Sequence, residues 1–372
     1  MWNDTKSILK IVLPIRLILF IYAYTSHKVT IPRWALDPTG LWHAFNSPFF
    51  DIWSRWDSAF YVDIATKGYT EKTIGMYPLY PFLIKIINFI IPHAHTSGLI
   101  ISNLCYFIAM IIFFRYTKEL FGKSVAQNTI LAISIFPTSY IFSAVYSEST
   151  FLLVTILSCY FFHKEKYLEA SLFGAMASAT RNPGLILFPA FIIAFFIKTY
   201  KKTFKEKFKI FNFFIILLGF GAYLCIQYVY FDNPFLFLDV QKHWNRHLAW
   251  PSVALIRSIK IIFYGFSTEI HAEHIIRISE VIVSVVFLII TCFMIRKISL
   301  HLTLFSFLAL LLPLSTSTTS SMVRFALTVF PVFMMLGIWM EKNEKLKYFI
   351  IILFSLFLGL FTTQFGGWYW LQ

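Results

Sequence analysis

Long apolar runs alternate with short polar connections along almost the whole chain. Crossing the hydrocarbon core of a bilayer takes roughly 18 to 20 apolar residues in a helix. On that basis membrane spans are expected near 8–24, 98–114, 125–144, 150–162, 168–179, 184–197, 211–230, 274–294, 300–314, 323–340 and 348–363, eleven in total. The first run contains Pro14 and Arg16 and is followed by no small-residue cleavage site, so it reads as a retained span. The stretch 77–91 starts with prolines, is interrupted by Lys85 and Asn88, and is amphipathic. That pattern predicts a helix lying in the membrane interface. The sequence ATRNPG at 179–184 interrupts an apolar region. Irregular backbone at membrane depth is tolerated only where protein buries it or where it lines a wet cavity. No internal repeat is visible, so nothing favours an inverted-repeat architecture. The expected fold class is an all-α polytopic membrane protein, a single integral membrane domain over 1–372 with extracytoplasmic loops at 26–96 and 232–272.

Composition agrees with this pattern. Of 372 residues, 58% are hydrophobic and 13% charged, whereas soluble domains carry about 25% charged residues. Mean hydropathy is +0.70. A soluble enzyme, a nucleic-acid module and a disordered scaffold are excluded. The net charge of +14 comes from clusters between apolar runs: Arg115, Lys118 and Lys123; Lys164 and Lys166; Lys198 to Lys209; Arg296 and Lys297; Lys342, Lys345 and Lys347. The short connections on the other side carry only Arg181 and Arg324. Short cytoplasmic loops are the ones enriched in Lys and Arg, so a cytoplasmic N-terminus is predicted. Abundant Ile, Phe and Lys with brief loops point to a prokaryotic plasma membrane. Cys105, Cys159, Cys225 and Cys292 all lie inside apolar runs and read as small core residues.

With this orientation the ionisable and aromatic residues of five connections collect on the outer face: Asp51, Arg55, Asp57 and Asp63; Tyr146 and Glu148; Arg181 and Asn182; Asp239 to His247; and Ser320, Ser321 and Arg324. The first loop, FDIWSRWDSAFYVDIATKGY, is the richest, and with Asp37 it holds four aspartates. Aromatic walls with a carboxylate between them suit a sugar, and a carboxylate beside hydroxyls can act as general base. Two plainer readings stand beside this one. The Trp and Tyr residues form an interfacial belt, and Asp57 pairs with Arg55. His243 and His247 have helical i, i+4 spacing, but without a third neighbouring ligand no metal is assigned. The chain has no D-x-D pair, no Gly-rich phosphate loop and no G-x-S-x-G elbow.

Five blocks carry a family resemblance: RWDSAFYVDIATKGY with YPLYP, FPTSYIFSAVYSESTF, SATRNPGL, NPFLFLDVQKHWNR, and more loosely STSTTSSMVRFALTVFPVF. In this order they resemble the PIG-V-type mannosyltransferases of the GPI-anchor pathway and their bacterial and archaeal relatives, of the GT-C glycosyltransferase superfamily. The resemblance implies inverting transfer of a hexose, most readily mannose, from a polyprenyl-phosphate donor to a lipid-linked or cell-envelope glycan. Asp57 then matches the loop base. Arg181 and Arg324, backed by Arg246 and Lys242, would hold the donor phosphate. Trp56, Arg55, Tyr61, Asp63, Tyr69, Tyr146, Glu148, Asn182, Gln241 and Trp244 would complete the substrate-binding set. Glu148 would orient the acceptor or pair with an arginine, although an acid following Ser147 also suits a helix N-terminus. Pro183 departs from the glycine that relatives often carry there. The partners implied are membrane lipids, the lipid-phosphate donor and a glycan acceptor, with no nucleic acid. No cofactor beyond the donor as co-substrate is implied, and a divalent ion has no support. The competing reading is a transporter or flippase for lipid-linked glycans, which needs polar residues leading to the inner leaflet.

Overall fold

The computed structural model describes residues 2–30, 44–201, 203–243, 246–265 and 272–369. Among these residues there are helices and no strands. α1 (Trp2–Val29) leads to two short helices, α2 (Pro48–Asp51) and α3 (Ser58–Lys67), then to α4 (Leu79–Ile90), α5 (Ala94–Phe121) and α6 (Lys123–Ser134). A 3₁₀ segment at Ser139–Ser143 precedes α7 (Glu148–His163) and α8 (Tyr167–Ser178). Another at Asn182–Ile186 runs into α9 (Leu187–Thr199), and α10 (Phe204–Lys207) is followed by a third at Phe208–Phe214. The remaining helices are α11 (Ile215–Phe231), α12 (Leu236–His243), α13 (Pro251–Gly265), α14 (Ala272–Met294), α15 (Leu300–Leu314), α16 (Met322–Leu327), α17 (Phe330–Lys342) and α18 (Glu344–Gly366).

Six stretches among the described residues are long and apolar enough to cross a membrane: Asp4–Val29, Ala94–Phe121, Asn182–Thr199, Phe208–Phe231, His274–Met294 and Glu344–Gly366. The runs expected at 150–162, 168–179 and 300–314 lie on the shorter helices α7, α8 and α15. Two expectations are corrected. The run 125–144 is not one helix: α6 stops at Ser134, just ahead of Pro137. Proline has no N–H to donate and pushes the residue before it out of the α region. The run 323–340 is likewise split, into α16 and α17, with Pro331 in the first turn of α17, where its missing N–H costs nothing. α4 is one-sided, burying Tyr80 and Ile84 while exposing Phe82, Ile86, Phe89 and Ile90.

The chain divides into two compact units, one made of Met1–Thr66, Leu83–Ser149 and Phe333–Gln372, the other of Lys67–Phe82 and Thr150–Val332. In the first, α1 packs on α5, α6 and α18. Arg16, a buried cation midway along α1, donates from Nη1 to the Ser139 carbonyl at 2.7 Å and lies 4.2 Å from the centroid of the Tyr106 ring. A charge at membrane depth persists only with such partners. In the second unit α8 packs on α11, α9 on α15, and α14 on α13, α15 and α16. The α8–α11 crossing is close because Gly219 has no side chain; a Cβ there would run into the Ala175 carbonyl and the Ser178 hydroxyl. In an apolar solvent small residues at the crossing let helices associate through close packing.

Candidate functional site

Each unit contributes its own cluster of polar side chains. In the first unit the cluster is built on a buried ion pair. Arg55 Nη1 lies 2.6 Å from Asp51 Oδ2, one helical turn earlier. Asp51 Oδ1 also accepts from the backbone N–H groups of Ala44 and Phe45, at 2.7 and 3.2 Å. The Arg55 guanidinium stacks 4.3 Å from the centroid of the Trp368 ring. Burial pulls its pKa down to about 10, against the opposing attraction of Asp51. A guanidinium that is 1% exposed braces the loop from beneath. The structure therefore gives Arg55 the partners Asp51 and Trp368.

Above this brace the chain turns sharply. Trp56 has φ 52°, and Trp368 has φ 60°. Left-handed backbone at a bulky residue costs on the order of 1–3 kcal/mol and survives only where the surroundings enforce it. The enforcement here is aromatic: the two indoles meet edge to face with centroids 5.5 Å apart. The turn places Asp57 immediately before α3, half-buried, with its carbonyl accepting from the Tyr61 N–H at 3.3 Å. Asp63 is half-buried one turn and a half further along α3.

The segment 139–149 is pinned beside this loop by side chains that satisfy its carbonyls. Asn103 Nδ2 donates to the Ser143 carbonyl at 3.3 Å, Ser102 Oγ to that of Tyr146 at 3.1 Å, and Ser149 Oγ to that of Phe142 at 2.9 Å. Val145 N–H donates to the Trp53 carbonyl at 2.9 Å, and the Tyr61 and Ser147 hydroxyls are 2.9 Å apart. Tyr61, Tyr146 and Glu148 are thus brought together with the first loop, and Glu148, the first residue of α7, is fully buried.

In the second unit the cluster is cationic. Arg181 and Arg246 lie 5.6 and 5.5 Å from the centroid of one ring, Phe325 on α16. Arg246 Nη2 also donates to the Ser320 carbonyl at 3.5 Å. Arg181 precedes the 3₁₀ segment formed by the NPG break, with Asn182 exposed as its first residue. The preceding Ala179 carbonyl accepts from the Leu79 N–H at 3.0 Å, which sets the YPLYP segment against the break. Tyr77 stacks on Tyr223 at 4.1 Å, and burial pushes its phenol pKa well up, with the Arg181 charge acting against that. Tyr69 donates to the Met76 carbonyl at 3.1 Å. Arg324 is buried on α16. Gln241 is half-buried, its carbonyl accepting from the Arg246 N–H at 3.1 Å. Lys242 sits on an exposed face, 2.7 Å from Asp239. Trp244 and Asp37 lie outside the described residues, as does the His243 side chain. Among the described residues no three His, Cys, Asp or Glu side chains gather into a metal-binding group.

Three participants were not anticipated. Trp368, in the terminal GGWYW, carries no charge and follows no periodicity that marks it. Phe325 looks like one more apolar residue. Glu280, at the head of the apolar run of α14, did carry a signal, because a lone acid within a span is a functional residue by default. Its Oε1 accepts from the Ser321 N–H at 2.7 Å and its Oε2 from Thr319 Oγ1 at 3.3 Å.

The described residues thus form helices and no strands, several of membrane-crossing length, with ionisable clusters on the connections between them. The comparisons agree. The fold is similar to that of ArnT from Cupriavidus metallidurans, solved bound to undecaprenyl phosphate: TM-score 0.56 at 10% identity, over 93% of this chain and 62% of that one. Residues 75–226 match the family model described as dolichyl-phosphate-mannose-protein mannosyltransferase. The chain is also 25% identical over 141 residues to GPI mannosyltransferase 2 of Schizosaccharomyces pombe, over 37% of this chain and 30% of that protein. The chain thus spans less than two thirds of either protein. By fold it is similar to ArnT, and over part of its length its sequence is similar to the mannosyltransferases just named.

Proposed function

We propose that the protein is an inverting glycosyltransferase. It moves a hexose, mannose by kinship, from a polyprenyl-phosphate donor to a lipid-linked or cell-envelope glycan on the extracytoplasmic side of a prokaryotic plasma membrane. The observation that carries this reading is the pair of guanidinium groups, Arg181 and Arg246, set over the one Phe325 ring. Cations arranged in this way suit the charge that develops on a departing lipid phosphate. ArnT, which shares the fold, was solved with undecaprenyl phosphate.

In the proposed reaction an acceptor hydroxyl attacks the anomeric carbon. Its proton passes to the Asp57 carboxylate as the new C–O bond forms. The bond from the anomeric carbon to the phosphate oxygen breaks, and the lipid phosphate leaves with the electron pair. Arg181 and Arg246, with Arg324, take up that charge. Trp56, half-buried, offers a ring face to the sugars, and the buried Tyr61 and Glu148 support the acceptor side from behind, Tyr61 through Ser147. Lys242, paired with Asp239 on an exposed face, is left with a peripheral electrostatic role.

The test is transfer from synthetic polyprenyl-phosphate mannose by the purified protein, beside the Asp57→Asn variant, over a panel of glycolipid and glycan acceptors. Loss of a general base costs roughly 100- to 10,000-fold, so transfer in the variant should fall to near background while the donor still binds. A variant with full turnover would remove Asp57 from the role. Folded protein that binds lipid-linked glycan but transfers nothing would favour the transporter. Orientation has its own test. Cysteines at Thr70 and Lys242, both exposed, should react with an impermeant thiol reagent from outside, and cysteines at Thr203 and Lys345 should not.

A further inference from the structure

We propose that Glu280 is a positioning residue that sets the cationic cluster of the second unit by anchoring the 315–321 connection and the start of α16. The proposal rests on the donor-phosphate role assigned above to Arg181 and Arg246. α14 carries the Glu280 carboxylate one turn after Arg277, at the head of its long apolar run, and Glu280 is 4% exposed. An isolated buried carboxylate is costly unless hydrogen bonds satisfy it. Here the Ser321 N–H and the Thr319 hydroxyl do so, at 2.7 and 3.3 Å. Thr319 Oγ1 is 2.8 Å from Ser258 Oγ, so the same carboxylate ties α13 and α14 to the connection.

What Glu280 holds is a strained element. Ser317 and Ser321 have φ of 62° and 69°, conformations that a non-glycine residue keeps only under constraint. Ser321 is the N-cap of α16, but its own side chain caps nothing. Without a capping hydroxyl, the Glu280 carboxylate accepts the N–H that fixes where α16 starts. Four residues after Ser321 comes Phe325, the ring under both arginines, and one residue before it is Ser320, whose carbonyl takes the Arg246 hydrogen bond. Other strands of the anchor are backbone bonds: His247 N–H to the Thr316 carbonyl at 3.3 Å, and Ala249 N–H to that of Ser315 at 2.9 Å. Glu280 therefore acts on the ligand only through Phe325 and Arg246. It is not a catalytic residue.

The test couples a structural readout to a kinetic one. In a cysteine-free background, Ser317→Cys places a thiol where the side chain is buried. Its maleimide labelling rate in detergent reports release of the connection, whatever the protein's activity. Glu280→Ala should raise that rate by about tenfold or more, as local opening becomes easier. It should raise the donor KM by about tenfold, the equivalent of one lost charge-assisted hydrogen bond, with kcat changed less than about threefold. Glu280→Gln keeps an oxygen for the Ser321 N–H and a donor for Thr319, and should recover most of both effects. Should Glu280→Ala not yield monodisperse protein, Thr319→Val, which removes one arm and keeps the carboxylate, should show a smaller shift in the same two measurements. Labelling unchanged in Glu280→Ala, or released equally in Glu280→Ala and Glu280→Gln, would overturn the proposal. Labelling released in Glu280→Ala alone, with no donor use by any form including the parent, would leave the anchor standing and take down the transferase reading instead.

Discussion

Arg55 in the first unit and Arg181 in the second each lie against an aromatic ring, at 4.3 and 5.6 Å, yet their surroundings differ. Arg55 is 1% exposed and held in a 2.6 Å pair with Asp51, whose other oxygen binds two backbone N–H groups. Arg181 is half-buried, and the ring beneath it is shared with a second guanidinium, Arg246. A cation neutralised on the spot by a carboxylate is scaffolding. Two half-buried guanidiniums over one phenyl face, with the Glu280 carboxylate in the electrostatic range of Arg246, form a cationic patch that suits an anion. The difference teaches that an arginine in a connecting segment is assigned by its surroundings and exposure, not by its neighbours in sequence. Arg55 stands two residues from Asp57 and is the less suited of the two to touch a substrate.

The comparison breaks most readily at Asp51. Removing one member of a buried pair leaves the other charge uncompensated, at a cost of about 3–5 kcal/mol. Asp51→Ala should therefore lower the thermal melting temperature sharply, and it should fail to express at the level of the parent. Asp51→Ala with Arg55→Met removes both charges and keeps a long side chain under Trp368. It should regain most of the loss. If the single variant melts like the parent, Arg55 is not scaffolding and returns to the list of substrate contacts.

A smaller effect, and a different one, is expected in the second unit. Arg181→Ala and Arg246→Ala should leave the melting temperature nearly unchanged, because neither guanidinium is deeply buried. Each should raise the donor KM by about 10- to 100-fold, the worth of one or two hydrogen bonds to a charged group. Opposite outcomes in the two units, stability in one and donor affinity in the other, would sharpen the contrast. A fall in melting temperature with an unchanged KM for Arg181→Ala would make it scaffolding as well.

Much of this was legible in the sequence, and the parts that were not share a cause. Apolar length and the polar breaks located most helices, because hydropathy over a long window is a sum that single residues do not overturn. Pro137 and Pro331 were visible too. A window average passes over them, while the backbone cannot, so 125–144 and 323–340 each divided. At the candidate site, charged and aromatic residues in the connections singled out Tyr61, Tyr146 and Glu148, which the structure brings together with the first loop, and Arg181 and Arg246, which share one ring. Their partners were beyond reach, because Trp368 lies over 300 residues from Arg55 in sequence and Phe325 looks like any apolar helix residue. Which ring a cation covers depends on tertiary packing, and no spacing encodes it.

Phe325 makes the finest test of the contrast, because it changes no charge. Phe325→Leu keeps an apolar side chain of similar bulk and removes the ring face. A cation–π contact is worth about 0.5–1 kcal/mol at an exposed site and about 2 when desolvated. With both guanidiniums half-buried, the donor KM should rise only a few-fold. Phe325→Trp offers a stronger π face and should hold or slightly lower KM, if α16 accepts its volume. The melting temperature separates ring from packing: Phe325→Leu should shift KM with little change in stability. A KM that follows side-chain volume and ignores aromaticity would mean that Phe325 serves the arginines as packing. The Ser320 carbonyl, and the connection that presents it, would then be what aims Arg246.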